Sequence, residues 1–480
     1  MVNRATSARV ARSAQVDLVV DALGDWSAGT GPLFRLLARA ITAAVEHGDL
    51  PRGARLPSER ALAAAVAVSR GVVVAAYDEL IADAVVERRP GSGTFVWGSP
   101  DAGLPPGREG SSLVGRLVDQ GSAPAVIDLS ISVVHEARWL PEVSVGPAQL
   151  AGVGADSPWG LPALRDRVAD GLGRIGLPTT VDQVVITTGA QQGISIAAGC
   201  WLRPGDVVVV DDPTYPGALS AFAAAGAVVR PVPVDRNGVV LAALDAALAE
   251  RPALVYLQSG PHSPTGARLS AHRRQVIGRW VAERRIPLVE DLALESVDWS
   301  GAAPPVPIAG HVPGHPAAVV GSFSKQFWAG LRVGFVRAPE PVAARLVRVK
   351  ATHDLGSSTI SQAMALSLLV HPHHGRALAR RNAELADRCE LLAGLLRAAL
   401  PSWRVDVPTG GLSLWVRLPE PVAARFAAVA LRHGVAVATA DGLSATTDHR
   451  DRLRLTFALP PADLREGAAR LATAWTAFTP

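Results

Sequence analysis

Lys325, in Gly321-Ser322-Phe323-Ser324-Lys325, is one of two lysines in a 480-residue chain that carries forty-five arginines. A guanidinium stays protonated and is a poor nucleophile, whereas a primary amine can condense with an aldehyde. Arginine has replaced lysine almost everywhere here. A lysine retained beside two serines, with Gly330-Leu331-Arg332 close behind, therefore points to imine chemistry. The second lysine, Lys350, lies in Arg345-Leu346-Val347-Arg348-Val349-Lys350 and is expected on an ordinary cationic helix face.

An aldehyde cofactor with a ring nitrogen and a phosphate makes separable demands, and each has a candidate. Thr187-Thr188-Gly189-Ala190-Gln191-Gln192-Gly193 follows a strand and opens a helix, where backbone amides can receive a phosphate. Ser322 and Ser324 offer hydroxyls, and Arg332 a fixed cation with a bidentate fork. Asp291, at the end of the expected strand Pro287–Glu290, suits the ring nitrogen, because a carboxylate there keeps a pyridine protonated. Tyr215, in Asp212-Pro213-Thr214-Tyr215-Pro216, is the best placed aromatic to cover the ring, and tyrosine occurs only three times. Each alone has a plain alternative: a Gly-rich turn, a capping Asp, a packed Tyr. Their order along the chain carries the reading.

These residues need a scaffold. Val184–Thr187, Val207–Val210, Leu254–Leu257, Pro287–Glu290 and Ala318–Gly321 are β-branched runs separated by helix-length segments, the pattern of a mostly parallel α/β sheet. After Pro341 come long helical stretches such as Gly375–Leu400, then short strands at Leu412–Val416 and Leu453–Phe457, so a smaller α+β subdomain is expected. The Gly-, Ser- and Pro-rich stretch 98–126 reads as a linker able to set a small domain well away from a large one.

Upstream, the spacing predicts an amphipathic helix over Leu33–Glu46, a helix opened by Ser58, and a third capped by Ser69 and running from Arg70 to about Ala82. Val85–Glu87 and Thr94–Val96 form a hairpin whose tip includes Gly91, Ser92 and Gly93. Two short helices with a β wing form a DNA-reading arrangement, whose second helix enters the major groove by its N-terminal end. Ser69 and Arg70 stand at that end, Arg60 is placed for the phosphate backbone, and the wing glycines permit close approach to DNA. A docking or dimerisation module is the alternative, since residues 52–96 hold six arginines against five acids, a weak field.

Composition sets outer bounds. Nearly half the residues are apolar, so a large core is available, and a net charge of +4 is too small to establish a polyanionic partner. Cys200 and Cys389 fit no metal or disulfide framework, so no metal is expected and a reducing, cytoplasmic location is. The apolar stretch Leu62–Ala76 is interrupted by Ser69-Arg70 and falls short of the roughly 20 residues of a membrane span. Asp17, Asp21 and Asp25 argue against a signal peptide.

Two resemblances follow. Residues 32–96, with Leu56-Pro57-Ser58-Glu59-Arg60, Val68-Ser69-Arg70 and Gly91-Ser92-Gly93-Thr94-Phe95-Val96, resemble the winged helix-turn-helix of the GntR family, except that Gly71-Val72 replaces the usual hydroxyl residues. Residues 127–479 resemble fold-type I pyridoxal phosphate (PLP) enzymes of the class I/II aminotransferase kind. That resemblance implies Lys325 as the Schiff-base lysine, Asp291 as the pyridinium partner and Tyr215 as the stacking residue. It implies a phosphate shell of Gly189, Ala190, Gln191, Ser322, Ser324 and Arg332, with Arg454 receiving an effector carboxylate. Ser263 stands where the family places an asparagine on the cofactor's phenolic oxygen, and Leu292-Ala293-Leu294 lacks the expected tyrosine. The fusion is similar to the MocR subfamily of bacterial regulators. It implies a reader over 30–97, a linker over 98–126 and an effector domain over 127–479, in a head-to-tail homodimer that binds promoter DNA and senses an amino compound or PLP. Turnover is not expected; the rival is an aminotransferase with an accessory N-terminal module.

Overall fold

The computed structural model describes residues 16, 19–24, 26–27, 31–47, 49–50, 53–83, 85–89, 93–97, 126–150, 157–446 and 448–478. The linker expected over 98–126 lies outside them except for residue 126. Internal contacts divide the chain into two compact units, Met1–Val126 with Ala424–Gly434 and Thr473–Pro480, and Ile127–Ala423 with Val435–Ala472.

In the first unit the apolar stripe of helix Leu33–His47 buries Leu37 and Ile41 against Leu62, Val73, Tyr77, Leu80, Val86 and Val96. Helix Glu59–Ala65 starts at Ser58, whose Oγ accepts the Ala61 amide at 3.3 Å. Helix Arg70–Ala82 starts at Ser69, whose Oγ accepts the Val72 amide at 3.4 Å. Both serines satisfy amides that have no partner inside their helices. The chain turns through 118° between the two helices, the geometry of a helix-turn-helix. Val86–Arg89 and Gly93–Val96 pair antiparallel as the wing, with Val86 opposite Val96 and Arg89 opposite Gly93.

The second unit is built on an eight-stranded sheet. Its spatial order is Val184–Thr187, Gly334–Arg337, Ala317–Ser322, Leu288–Asp291, Leu254–Gln258, Val207–Asp212, Val228–Asp235 and Gly238–Val239. Strands Gly334–Arg337 and Gly238–Val239 run antiparallel to their neighbours and the remainder are parallel. Alternate residues feed two cores, because successive side chains of a strand face opposite sides. Val209, Val255, Leu257, Leu288 and Val319 pack with Leu164, Ile277, Val281 and Leu368. Val208, Val210, Leu254, Tyr256, Val289 and Val320 pack with Ile194, Phe222 and Leu346. Helices therefore cover both faces, which accounts for the unbroken apolar runs in the sequence. A four-stranded sheet that includes Arg404–Val405, Ser413–Arg417 and Arg452–Thr456 forms the smaller α+β part.

Sequence reasoning passed over strands Val228–Asp235 and Gly334–Arg337. The first carries two prolines and exposes alternate residues near the sheet edge, and the second is four residues long. Lys350 requires a correction. It lies wholly buried at the end of helix Glu340–Ala351, with its ammonium on Asp354, and is no surface cation. The spacing of Arg345, Arg348 and Lys350 suggested one solvated face, but tertiary packing covers position 350.

Tyr77 ties the reader's core together, since its buried hydroxyl donates to the Pro57 carbonyl at 2.8 Å. Tyr77→Phe leaves that carbonyl without its donor and should cost the N-terminal unit about 1–2 kcal/mol. Calorimetry of the full chain should show the reader's transition falling while the large domain's stays in place; an unshifted reader transition contradicts the assignment.

Candidate functional site

Parallel strands deliver their carboxyl ends to one edge of the sheet, where open α/β folds place their ligands. Asp291 ends strand Leu288–Asp291, Lys325 follows strand Ala317–Ser322, Gly189 follows Val184–Thr187 and Tyr215 follows Val207–Asp212. Arg332 precedes the antiparallel strand Gly334–Arg337, and the reversed direction brings the start of that strand to the same edge. Lys325 feels the charges of Arg454, Arg332 and Asp291, and Tyr215 those of Asp291, Arg332 and Arg454. The fold thus collects five residues that span 240 positions of sequence.

Burial, reinforced by Arg454 and Arg332, pushes the Lys325 amine down to about 8, with Asp291 opposing. Its Nζ donates to the Ser132 carbonyl at 2.5 Å. Asp291 is buried, which pushes its carboxyl up; the hydroxyl of Tyr256, the Ala293 amide and the Lys325 charge pull the other way. Tyr256 Oη donates to Asp291 Oδ2 at 2.7 Å and the Ala293 amide to Oδ1 at 2.7 Å, fixing the carboxylate plane. Tyr215 sits at the start of helix Pro216–Ala224, and burial together with Asp291 pushes its hydroxyl up to about 12. Arg454, also buried, donates to the Ser130 carbonyl.

The phosphate candidates gather around helix Ala190–Trp201. Gly189 takes φ +109° ahead of that helix, and the Cα of Gly189 lies 2.8 Å from where a Cβ on Gly334 would fall. Only glycine permits that approach. Arg332 adopts φ +53°, a left-handed conformation that costs an ordinary residue about 1–2 kcal/mol, and its Nη2 donates to the Thr188 carbonyl at 3.1 Å. Backbone strain of this kind concentrates at functional sites. Ser322 precedes helix Phe323–Gln326 without a side-chain capping bond. Ser324 Oγ and Gln191 Oε1 are buried with no hydrogen-bond partner. The unpartnered Ser324 hydroxyl, next in sequence to an amine of lowered basicity and at the sheet edge with a buried carboxylate, fits a phosphorylated pyridine aldehyde, whose phosphate would accept from it.

Several supporting residues gave no sequence signal. Gln258 clamps Ser263 from both sides, accepting its amide at 3.0 Å and donating to its carbonyl at 2.9 Å. Arg381, fully buried and pushed down to about 10 by that burial, donates to the Lys325 carbonyl at 3.0 Å and to the Ser296 carbonyl at 2.6 Å. Arg381 lies 56 residues from the Lys325 carbonyl it holds, and a lone Gln or Arg has many ordinary uses.

In the reader, Ser69 and Arg70 are exposed at the leading end of their helix, Arg60 is exposed on the preceding helix, and Gly93 opens the second wing strand at φ +116°. Gly91 and Ser92 lie outside the described residues. Arg70 Nη2 donates to Glu59 Oε2 at 2.8 Å, while Arg88 of the wing reaches Glu59 Oε1 at 3.2 Å and Asp78 Oδ1 at 3.0 Å. Exposed ion pairs are worth about 0–1 kcal/mol, so both arginines can be exchanged onto phosphates or base edges. Arg88 lies in the basic, glycine-rich stretch of the hairpin and shares Glu59 with Arg70.

The description "Bacterial regulatory proteins, gntR family" matches residues 35–96, and "Aminotransferase class I and II" matches residues 156–471. The HTH-type transcriptional regulator TauR of Rhodobacter capsulatus is 30% identical over 93% of this chain and 97% of its own. The probable rhizopine catabolism regulatory protein MocR of Rhizobium meliloti is 26% identical over 80% of this chain and 82% of its own. This chain belongs to the MocR-type family of GntR transcriptional regulators. As in other members named HTH-type regulators, its DNA-reading unit is joined to an aminotransferase-like domain. The α-aminoadipate aminotransferase LysN of Thermus thermophilus, solved with N-(5'-phosphopyridoxyl)-L-leucine, shares 26% identity and a TM-score of 0.68 over 77% of this chain and 96% of its own. Among the described residues no single helix is long and apolar enough to cross a membrane.

The Lys325 value of about 8 lies below the ordinary 10.5, so the unfolded chain binds that proton more tightly. The charged amine costs the fold its full penalty below about pH 8, and the cost fades as pH rises from there toward 10.5. Reductive methylation read by peptide mass spectrometry should label Lys325 with a half-maximum near pH 8; labelling that stays flat between about pH 7 and 9 contradicts the lowered basicity.

Proposed function

We propose that this regulator binds PLP at Lys325 and changes its grip on promoter DNA when an amino compound, or PLP itself, enters the large domain. The observation that carries the reading is Lys325, its amine brought down to about 8 beside buried Asp291, in a chain headed by a winged helix-turn-helix. Bound PLP supplies a carbonyl for that amine and a ring that withdraws electrons. Asp291 holds the proton at the ring nitrogen, Tyr215 covers the ring, and Gly189, Ala190, Gln191, Ser322, Ser324 and Arg332 receive the phosphate. Arg454 binds an effector carboxylate. Arg60, Ser69, Arg70 and the wing tip, with Arg88 added, contact DNA.

The residues favour holding a ligand over turning it over. Ser263 stands at a position expected to be asparagine, and no hydroxyl follows Asp291 before Glu295, so two groups that tune the imine's basicity are missing. An effector alters DNA affinity only by binding two conformers unequally. The proposal includes a reader over 30–97, a linker over 98–126, an effector domain over 127–479, a head-to-tail homodimer with two half-sites, and a cytoplasmic location. The intact Lys325, Asp291 and Arg454 set also suits a second reading, an aminotransferase; sustained keto-acid production without a DNA footprint would select it.

Purified protein should be yellow with PLP, and Lys325→Ala should remove the visible band; an unchanged spectrum in that variant overturns the cofactor assignment. Arg70→Ala should weaken operator binding by roughly tenfold or more and leave the cofactor band alone, as measured by footprinting upstream of the protein's own gene. Unaltered affinity would contradict the reading-helix placement.

A further inference from the structure

We propose that buried Lys350 and the half-buried Asp354 and Gln192 form a relay that positions the phosphate-binding turn Thr188–Gly189. The proposal rests on the PLP reading above and assigns residues to which neither the motifs nor that reading gave a role. Lys350 Nζ donates to Asp354 Oδ1 at 2.5 Å. Asp354 Oδ2 accepts from Gln192 Nε2 at 2.7 Å, and Gln192 Oε1 accepts the Thr188 amide at 2.9 Å. The amide orientation of Gln192 is forced, because a carboxylate only accepts and a backbone N–H only donates. Thr188 is held from its other side by Arg332 on its carbonyl, and the Thr187 hydroxyl donates to the Gly189 carbonyl at 3.0 Å. Both peptides of the turn are thereby fixed before helix Ala190–Trp201 begins.

Charge explains why the relay ends in a lysine. A lone carboxylate at Asp354, one side chain removed from the turn that receives a phosphate, would repel the dianion; the ammonium of Lys350 neutralises it. The Asp354 amide also bonds the Lys350 carbonyl at 2.9 Å, which keeps the pair in register. Lys350 has no exposed surface, and a compact ammonium on a flexible stem fits where a planar, five-donor guanidinium leaves donors without acceptors. In a chain that uses arginine almost everywhere, both lysines are then retained for the same ligand: one for its aldehyde, the other for its phosphate.

The test titrates full-length protein with PLP and with pyridoxal, which lacks the phosphate, following the visible band and the apparent Kd of each. Gln192→Leu should raise the Kd for PLP about tenfold, the worth of one hydrogen bond, and leave that for pyridoxal within about twofold. Gln192→Glu, which sets a carboxylate against Asp354 while keeping an acceptor for Thr188, should move the same ratio in the same direction. Lys350→Arg should do likewise, and if it fails to fold, the two Gln192 variants decide. Equal weakening of both ligands in the folded Gln192 variants, or no weakening, overturns the relay while leaving PLP binding intact. A wild-type chain that binds neither ligand overturns the PLP reading and the relay with it.

Discussion

At one edge of the central sheet, buried Lys325 and Asp291 lie within the fields of exposed Arg332 and of Arg454 from the smaller sheet, and burial together with these charges sets the large domain's site. Burial, reinforced by Arg454 and Arg332 and opposed by Asp291, brings the Lys325 amine to about 8. Lowered basicity raises the fraction of free amine at neutral pH, the form that attacks a carbonyl. Asp291 supplies the opposite demand, since a carboxylate so buried keeps its charge only where hydrogen bonds and a cation support it. Tyr256, Ala293 and Lys325 provide that support. The site is thus poised by electrostatics before any ligand arrives, which is what preorganisation requires.

The sheet makes this possible by geometry. Parallel strands bring Asp291, Lys325, Tyr215 and Gly189 to one edge, and the reversed strand Gly334–Arg337 brings Arg332 there as well. Behind them stand residues that hold site backbone: Gln258 on Ser263, Arg381 on Lys325 and Gln192 on Thr188. Such side chains set angles and distances without entering the chemistry, and their effect is felt through the groups they hold.

The DNA-reading unit follows a different logic. It is small, its core depends on Tyr77 and a handful of aliphatics, and its helices are started by serines that satisfy amides otherwise left open. Its charged face is internally paired through Glu59, so Arg70 and Arg88 are held in place while free of DNA. Exchange of weak surface pairs for phosphate contacts costs little and suits a protein whose hold on DNA has to be reversible.

The amino-acid sequence alone determined a winged helix-turn-helix ahead of an α/β domain, the capped helices at Ser58 and Ser69 and five of the eight central strands. Those features are written locally, in apolar period and in turn and cap residues. Tertiary structure decided what depends on distant neighbours. Strand Val228–Asp235 escaped notice because its prolines and exposed residues obey the sheet's edge and no local rule. Lys350 read as a solvated cation because helical periodicity reports which residues share a face but not what covers it. Tyr256, Arg381 and Asp354 act across tens or hundreds of residues, through hydrogen bonds that exist only once the chain has closed on itself.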